Sequence, residues 1–269
     1  MPELPEVESY LISIRPYLIN QIITRIVVRN LYLRWPISEE ILKLRNQLIL
    51  NIKRRGKYLL IQLQSGWIII HFGMSGRLSL HNKYICPQKH DHIDILMEND
   101  SILRYTDQRR FGALLWTNDL SNHTLLNDLG VEPLGNKFNN NYLLTKLHDI
   151  KASIKQSIMN NKIVVGIGNI YANEILFATG IIPMRPSFDL RKEEIEFLVK
   201  NIKLILFNAI KCGGTTLRDF VQINGEPGSF IKKLKVYGRI NKPCLVCGTL
   251  IIKEKYRGRS TYWCPKCQL

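Results

Sequence analysis

Val7, Leu11, Ile14 and Leu18 recur at helical spacing after Pro5 and predict an opening helix. From Gln21 to about Trp116 the rhythm shortens into apolar, β-branched runs. These predict strands at Ile22–Val28, Ile49–Lys53, Tyr58–Leu63, Trp67–Phe72, Arg77–Leu80, Ile93–Met97, Ile102–Tyr105 and Ala113–Trp116. Ser65-Gly66 and Glu98-Asn99-Asp100 read as turns between neighbours, and one short helix is expected after Ser38. Eight short strands with turn-sized gaps predict an antiparallel sandwich or a flattened barrel.

Beyond about residue 117 the helical period returns. Leu125–Leu129, Tyr142–Leu147, Ala152–Met159, Tyr171–Thr179 and Arg191–Lys211 read as helices, with Gly and Pro at several boundaries. Residues 213–230 are rich in Gly and polar side chains and are expected to form a mobile loop. The chain shows no internal repeat and no low-complexity tract.

At 269 residues the chain has the length of about two domains, and its 45% hydrophobic and 22% charged fractions are ordinary for a globular protein. No stretch approaches the ~18 consecutive apolar residues of a membrane helix. Glu3, Glu6 and Glu8 stand where a signal peptide carries positive charge, so a soluble intracellular protein is expected. The charge balance is less ordinary. Thirty-eight Lys and Arg face 22 Asp and Glu, a formal net charge of +16. A lysine-rich composition is the bland explanation; a polyanionic partner is the better one, because many cations sit beside aromatics or glycines.

Of six cysteines, Cys86 and Cys212 are isolated and read as buried thiols. The others form Cys244-x2-Cys247-x16-Cys264-x2-Cys267, two knuckles whose thiolates can converge on one ion. Two disulfides are the alternative, and an intracellular setting disfavours them. One structural Zn2+ per chain is expected, with no open position for chemistry.

The chain opens Met1-Pro2-Glu3-Leu4-Pro5-Glu6-Val7-Glu8. Removal of the initiator methionine leaves Pro2 with a secondary amine, and an α-amine titrates near ~7.7–8.0, so part of it is nucleophilic at neutral pH. Attack on a sugar C1′ gives an iminium, an electron sink, and Glu3 can supply acid or base help. On spacing alone, proline and glutamate that merely start a helix are the simpler reading.

That opening, the four-cysteine terminus and GIGNIYANE between them resemble bacterial formamidopyrimidine-DNA glycosylases, members of a wider family that includes the endonuclease VIII-like enzymes. The resemblance spans essentially the whole chain. It includes RRGKYLL around Lys57, HFGMSGR at 71–77, KHDH at 89–92, DQRRFG at 107–112, GGTTLRDF at 213–220 and Tyr237-Gly238-Arg239. The resemblance implies repair of oxidised purines, chiefly 8-oxoguanine and formamidopyrimidines, with no cofactor beyond zinc. It implies an α+β fold: an N-terminal helix and antiparallel β-sandwich, then a helix–two-turn–helix domain with a zinc hairpin. The expected boundaries are 1–130, 131–235 and 236–269, with DNA in the cleft between the two domains.

Position by position, the resemblance makes Pro2 the Schiff-base nucleophile and Glu3 its acid/base partner, with Glu6 a supporting carboxylate. Lys57 matches the proton donor for β-elimination, and Arg259 the hairpin arginine of δ-elimination and phosphate binding. His90, Arg109 and Asn169 match DNA contacts, and Lys151 substitutes for a basic residue at position 150 in some relatives. Met74, Arg109 and Phe111 match the trio that fills the gap left by a flipped nucleotide. Their chemistry suits that role, with Phe111 as wedge, Met74 as flexible apolar filler and Arg109 as hydrogen-bonding guanidinium. In an anonymous β-protein Met74 and Phe111 would read as core, but the adjacent Arg109-Arg110 favours an exposed tip. Gly166-x-Gly168-Asn169 before a helix resembles a phosphate-binding N-terminus. His71, on an apolar strand, reads as a satisfied structural histidine.

Gln108, Asn160, Ile150 and Glu226 depart from common family residues, the last in a loop expected to cover the flipped base. The reading is a monomeric cytoplasmic enzyme acting on double-stranded DNA with oxidised purine or abasic sites, without membrane contact. A sister enzyme for oxidised pyrimidines and a non-catalytic DNA-binding zinc protein are the alternatives.

Overall fold

The computed structural model describes residues 2–216, 223 and 225–269. Two compact units emerge, Met1–Asn127 with Cys212–Ile231, and Asp128–Lys211 with Lys232–Leu269.

The first unit opens with α1 (Leu4–Leu18), which has Pro5 in its first turn, where a missing N–H costs nothing, and Arg15 in its last. Its Val7, Tyr10, Leu11, Ile14 and Leu18 enter the core. Then follow β1 (Ile22–Val28), α2 (Glu39–Lys43), β2 (Gln47–Arg55), β3 (Tyr58–Leu63), β4 (Trp67–His71), β5 (Gly76–His81), β6 (Asp91–Met97), β7 (Ile102–Asp107) and β8 (Ala113–Thr117). Each expected strand is present within three residues.

The sheet runs β5-β7-β6-β1-β2-β3-β4-β8, with every neighbour antiparallel. The β1–β2 ladder is short, pairing Ile22 with Leu48 and Ile23 with Gln47. It therefore hinges two four-stranded halves. Ile26, Ile93, Ile95 and Leu103 from one half and Ile52, Leu59, Ile61, Ile68 and Ile70 from the other share one core with α1. That is a sandwich with open edges at β5 and β8. Asp94, nearly fully buried, is held by Arg104, whose Nε and Nη2 donate to its two oxygens at 2.8 Å each.

The short α3 (Thr124–Asn127) closes the first stretch of that unit. The second unit then contributes α4 (Asn140–Leu147), α5 (Ile154–Ile158), α6 (Asn169–Thr179) and α7 (Lys192–Lys211). Ser153 and Gln156 form a capping box that starts α5, later than the expected Ala152. Gly180, at φ 71°, ends α6. The hairpin β9 (Ile252–Tyr256) and β10 (Arg259–Trp263) completes the unit. Among the described residues no helix is long and apolar enough to cross a membrane.

One expectation fails. Cys86 is exposed and Cys212 half-buried, so neither is a core thiol. Cys86 lies in the stretch between β5 and β6, whose residues 82–88 face solvent or the surface, so sequence isolation does not translate into burial.

Candidate functional site

In the first unit Pro2 is buried, as are Glu3 and Glu6 (2% and 1% exposed). Glu3 is the N-cap of α1, and its backbone N–H donates to Glu6 Oε2 at 2.8 Å. The other oxygen, Glu6 Oε1, accepts the backbone N–H of Thr215 at 2.7 Å. Both oxygens of this buried carboxylate thus accept N–H groups, which its burial requires. Glu6 thereby fixes the backbone that carries Pro2 and Glu3.

Lys57 occupies the two-residue turn Gly56-Lys57 between the paired Arg55 and Tyr58. Gly56 sits at φ 57°, which the first central position of such a turn requires. Arg54 ties this tip to α1: its Nε pairs with Glu8, and its Nη1 donates to the Gly56 carbonyl at 3.2 Å. Across the ladder, Tyr58 pairs with His71. Burial, then the nearby cations Lys57 and Arg34, lower the His71 pKa to about 4, so the ring is neutral near pH 7. Its Nδ1 accepts the Gly73 N–H at 3.2 Å, as expected of a satisfied structural histidine.

Met74, Arg109 and Phe111 are all exposed, Met74 by 41% and Phe111 by 46%. They are surface displays rather than core. The Arg109 guanidinium lies 4.6 Å from the centre of the Phe111 ring. Gly73, at φ 55°, lets the Met74 turn approach the second loop, since a Cβ there would come within 2.3 Å of the Phe111 carbonyl carbon. His90, half-buried before β6, accepts the Asp107 N–H through its carbonyl at 3.0 Å. A cavity of about 870 Å³ opens beside these loops, lined in part by Ser75, Arg77, Lys89, His90, Gln108 and Gly225.

The expected loop at 213–230 has a closed neck. Ser229 N–H donates to the Cys212 carbonyl at 2.9 Å, Phe230 N–H to the Gly214 carbonyl at 3.1 Å, and Gly228 N–H to Thr216 Oγ1 at 2.8 Å. Residues 217–222 and 224 of the expected mobile segment lie outside the described residues. Glu226 is exposed.

In the second unit the sulfurs of Cys244, Cys247, Cys264 and Cys267 lie within 4.8 Å of one another, with Cys247–Cys264 at 3.4 Å and Cys244–Cys267 at 3.9 Å. A tetrahedron with metal–sulfur bonds of ~2.3 Å has edges of about 3.8 Å, so the set fits zinc. The four thiolates would hold a structural ion and leave no position for substrate.

The hairpin is anchored to α5 and α6. Lys155, 3% exposed, donates from Nζ to the Ser260 carbonyl at 3.0 Å and to Thr261 Oγ1 at 2.8 Å. Asn169 Nδ2 donates to the same Ser260 carbonyl at 2.9 Å. Asn173 Oδ1 accepts the Tyr262 N–H at 2.8 Å. Glu174 accepts the N–H groups of Lys235, Val236 and Tyr237 at 2.8–3.0 Å; burial raises its pKa against the pull of those bonds. Arg259, exposed at the start of β10, thus adjoins a carbonyl held by both Lys155 and Asn169. Lys151 is exposed in the approach to α5, and among the described residues no hydrogen bond joins it to this cluster. The parts that sequence reasoning leaves without a role are Ser75, Asp107, Lys155, Asn173 and Glu174. Each has at least one partner more than 30 residues away, and spacing carries no signal for such a contact.

The sequence matches two domains of one class of DNA glycosylase and a zinc finger that the class shares. Residues 1–114 match the formamidopyrimidine-DNA glycosylase N-terminal domain, 129–221 its H2TH domain, and 241–269 a zinc finger found in FPG and IleRS. The chain belongs to the formamidopyrimidine-DNA glycosylase family. It is 54% identical over 268 residues to the formamidopyrimidine-DNA glycosylase of Baumannia cicadellinicola and 52% to that of Sodalis glossinidius, all of each chain being covered. The MutM (Fpg) protein of Thermus thermophilus superposes at a TM-score of 0.90 and 34% identity, covering 99% of this chain and 98% of that one. A Lactococcus lactis Fpg complexed with abasic-site DNA gives 0.91 and 31%, with 99% of both chains covered.

Proposed function

We propose that this protein excises oxidised purines from DNA and cleaves the strand at the resulting abasic site. The observation that carries the reading is the buried Pro2-Glu3 pair at the start of α1, where Glu6 Oε2 accepts the Glu3 N–H while Oε1 is held by the Thr215 N–H. A Lactococcus lactis relative has been captured with Fapy-dG-containing DNA and another with an abasic site, which supports the same substrates here.

With Met1 removed, the Pro2 lone pair attacks C1′, and the C1′–N9 bond breaks as the base leaves with a proton. Glu3 is the acid that serves the departing base or the opening sugar ring. The C1′–O4′ bond then breaks as O4′ takes a proton, and the iminium left between Pro2 and C1′ acidifies the C2′ protons. Loss of one breaks the C3′–O3′ bond, and loss of a C4′ proton then breaks the C5′–O5′ bond and frees the sugar fragment, with Lys57 and Arg259 assigned to the proton transfers and phosphate contacts of the two eliminations. A one-nucleotide gap with phosphate on both sides remains. Met74, Arg109 and Phe111 fill the space of the extruded nucleotide, while His90, Lys151 and Asn169 contact the DNA. The reading includes a monomer that acts on chromosomal DNA in the bacterial cytoplasm.

A panel of duplexes carrying 8-oxoguanine, formamidopyrimidine or an oxidised pyrimidine tests the proposal. Fastest release of the purine lesions is expected. Preference for the pyrimidine would assign the sister activity, and release of none would leave a DNA-binding protein without catalysis.

A further inference from the structure

We infer that Asp107 is a positioning residue that locks the Met74 turn and the Arg109–Phe111 loop into one rigid gap-filling group. The inference rests on the reading that these three side chains replace the extruded nucleotide.

Asp107 ends β7 and is fully buried (0% exposed). A buried carboxylate must find donors, and this one finds them in both loops. Its Oδ1 accepts from Ser75 Oγ at 2.6 Å and from the Arg109 N–H at 3.2 Å. Its Oδ2 accepts from the Gly112 N–H at 2.8 Å and from the Tyr105 hydroxyl at 3.2 Å. Ser75 closes a triangle, because its Oγ also accepts the Arg109 N–H at 3.0 Å.

The placement of these donors matters more than their number. Ser75 directly follows Met74, and Arg109 and Gly112 bracket Arg110 and Phe111. One carboxylate therefore holds the backbone on either side of the wedge and, through the Ser75 hydroxyl, the residue beside the filler. Within the bracket Arg110 adopts φ 55°, a left-handed conformation that a non-glycine residue keeps only where its surroundings hold it. The Asp107 backbone is fixed as well, its carbonyl 2.8 Å from His92 Nε2. Exposed side chains on a base this constrained lose little freedom when they enter a duplex, which is the benefit of preorganisation.

Asp107→Asn and Ser75→Ala test the assignment. An asparagine amide would turn a donor toward N–H groups that need an acceptor, whereas Ser75→Ala removes the tie to the Met74 turn and one of two acceptors of the Arg109 N–H, leaving the carboxylate in place. Each variant is compared with wild type in two assays: single-turnover excision of 8-oxoguanine from a duplex, and borohydride trapping on a single-stranded abasic oligonucleotide, where no gap needs filling. Asp107→Asn should slow duplex excision about 10- to 100-fold and weaken discrimination of the base opposite, with single-strand trapping kept within about twofold. Ser75→Ala should shift the same ratio by less, and it decides the matter if the asparagine variant does not fold. A proportional fall in both assays would make Asp107 an ordinary core group and overturn the inference, as would unchanged duplex excision. Arg109→Ala and Phe111→Ala variants that excise from duplex like wild type would instead remove the gap-filling reading beneath it.

Discussion

Glu6 and Thr215, 209 positions apart in sequence, are joined by a hydrogen bond of 2.7 Å from the Thr215 N–H to the Glu6 carboxylate. The same carboxylate holds the Glu3 N–H, so one side chain fixes both the proposed catalytic terminus and the neck of the 213–230 loop. The neck can therefore report on the terminus.

Glu6→Gln should disturb both. An amide nitrogen turned toward either N–H leaves a buried donor unmet, at about 2 kcal/mol. Urea unfolding should show that loss, and base excision should fall with it. A variant with wild-type stability and activity would mean that the contact does not organise the site.

His71 should make stability depend on pH. Its pKa is lowered from 6.5 to about 4, so between these values the unfolded chain binds a proton that the folded chain does not. Stability is then lost as pH falls below 6.5, by up to about 2 kcal/mol at pH 5, less what solvent screening removes from a half-buried ring. Protonation would also oppose the Gly73 N–H bond to Nδ1. In His71→Asn, where Oδ1 can take the place of Nδ1, the difference between urea midpoints at pH 7 and pH 5 should shrink. An unchanged difference would assign the pH dependence to other groups.

Metal analysis should give one zinc per chain. Cys247→Ser should release it, loosen the hairpin that Lys155 and Asn169 hold through Ser260, and weaken DNA binding while the sandwich stays folded. Zinc-free reduced protein with full DNA affinity would contradict the structural role.

Binding should weaken steeply with salt. If the +16 chain neutralises about six phosphates, log K should fall against log[salt] with a slope of roughly −5. A slope near zero would leave the charge as mere composition.

Local features are the most legible in the sequence. Period-two and apolar runs locate the strands, and the spacing of the four C-terminal cysteines gathers their sulfurs into one cluster. Sheet order is not legible, because β1 lies between β6 and β2 through pairings that no local rule encodes. Nor is the return of Cys212–Ile231 to the first unit, which depends on contacts such as Glu6–Thr215. Asp107 falls within a motif whose spacing does not show the link to the Met74 turn, since Ser75 lies 32 residues away. Cys86 departs from expectation because a cysteine's average burial says nothing about an exposed connection between strands. The Pro2 assignment rests on resemblance; local chemistry alone favours a simple helix start.

The most direct test of the central claim is peptide mass spectrometry of the complex trapped by borohydride on a duplex with one 8-oxoguanine. With Met1 removed, the reduced sugar adduct should sit on the Pro2 nitrogen, and Glu3→Gln should bind the lesion yet lose most base excision. An adduct on Lys57, or none at all with base release intact, would contradict the account.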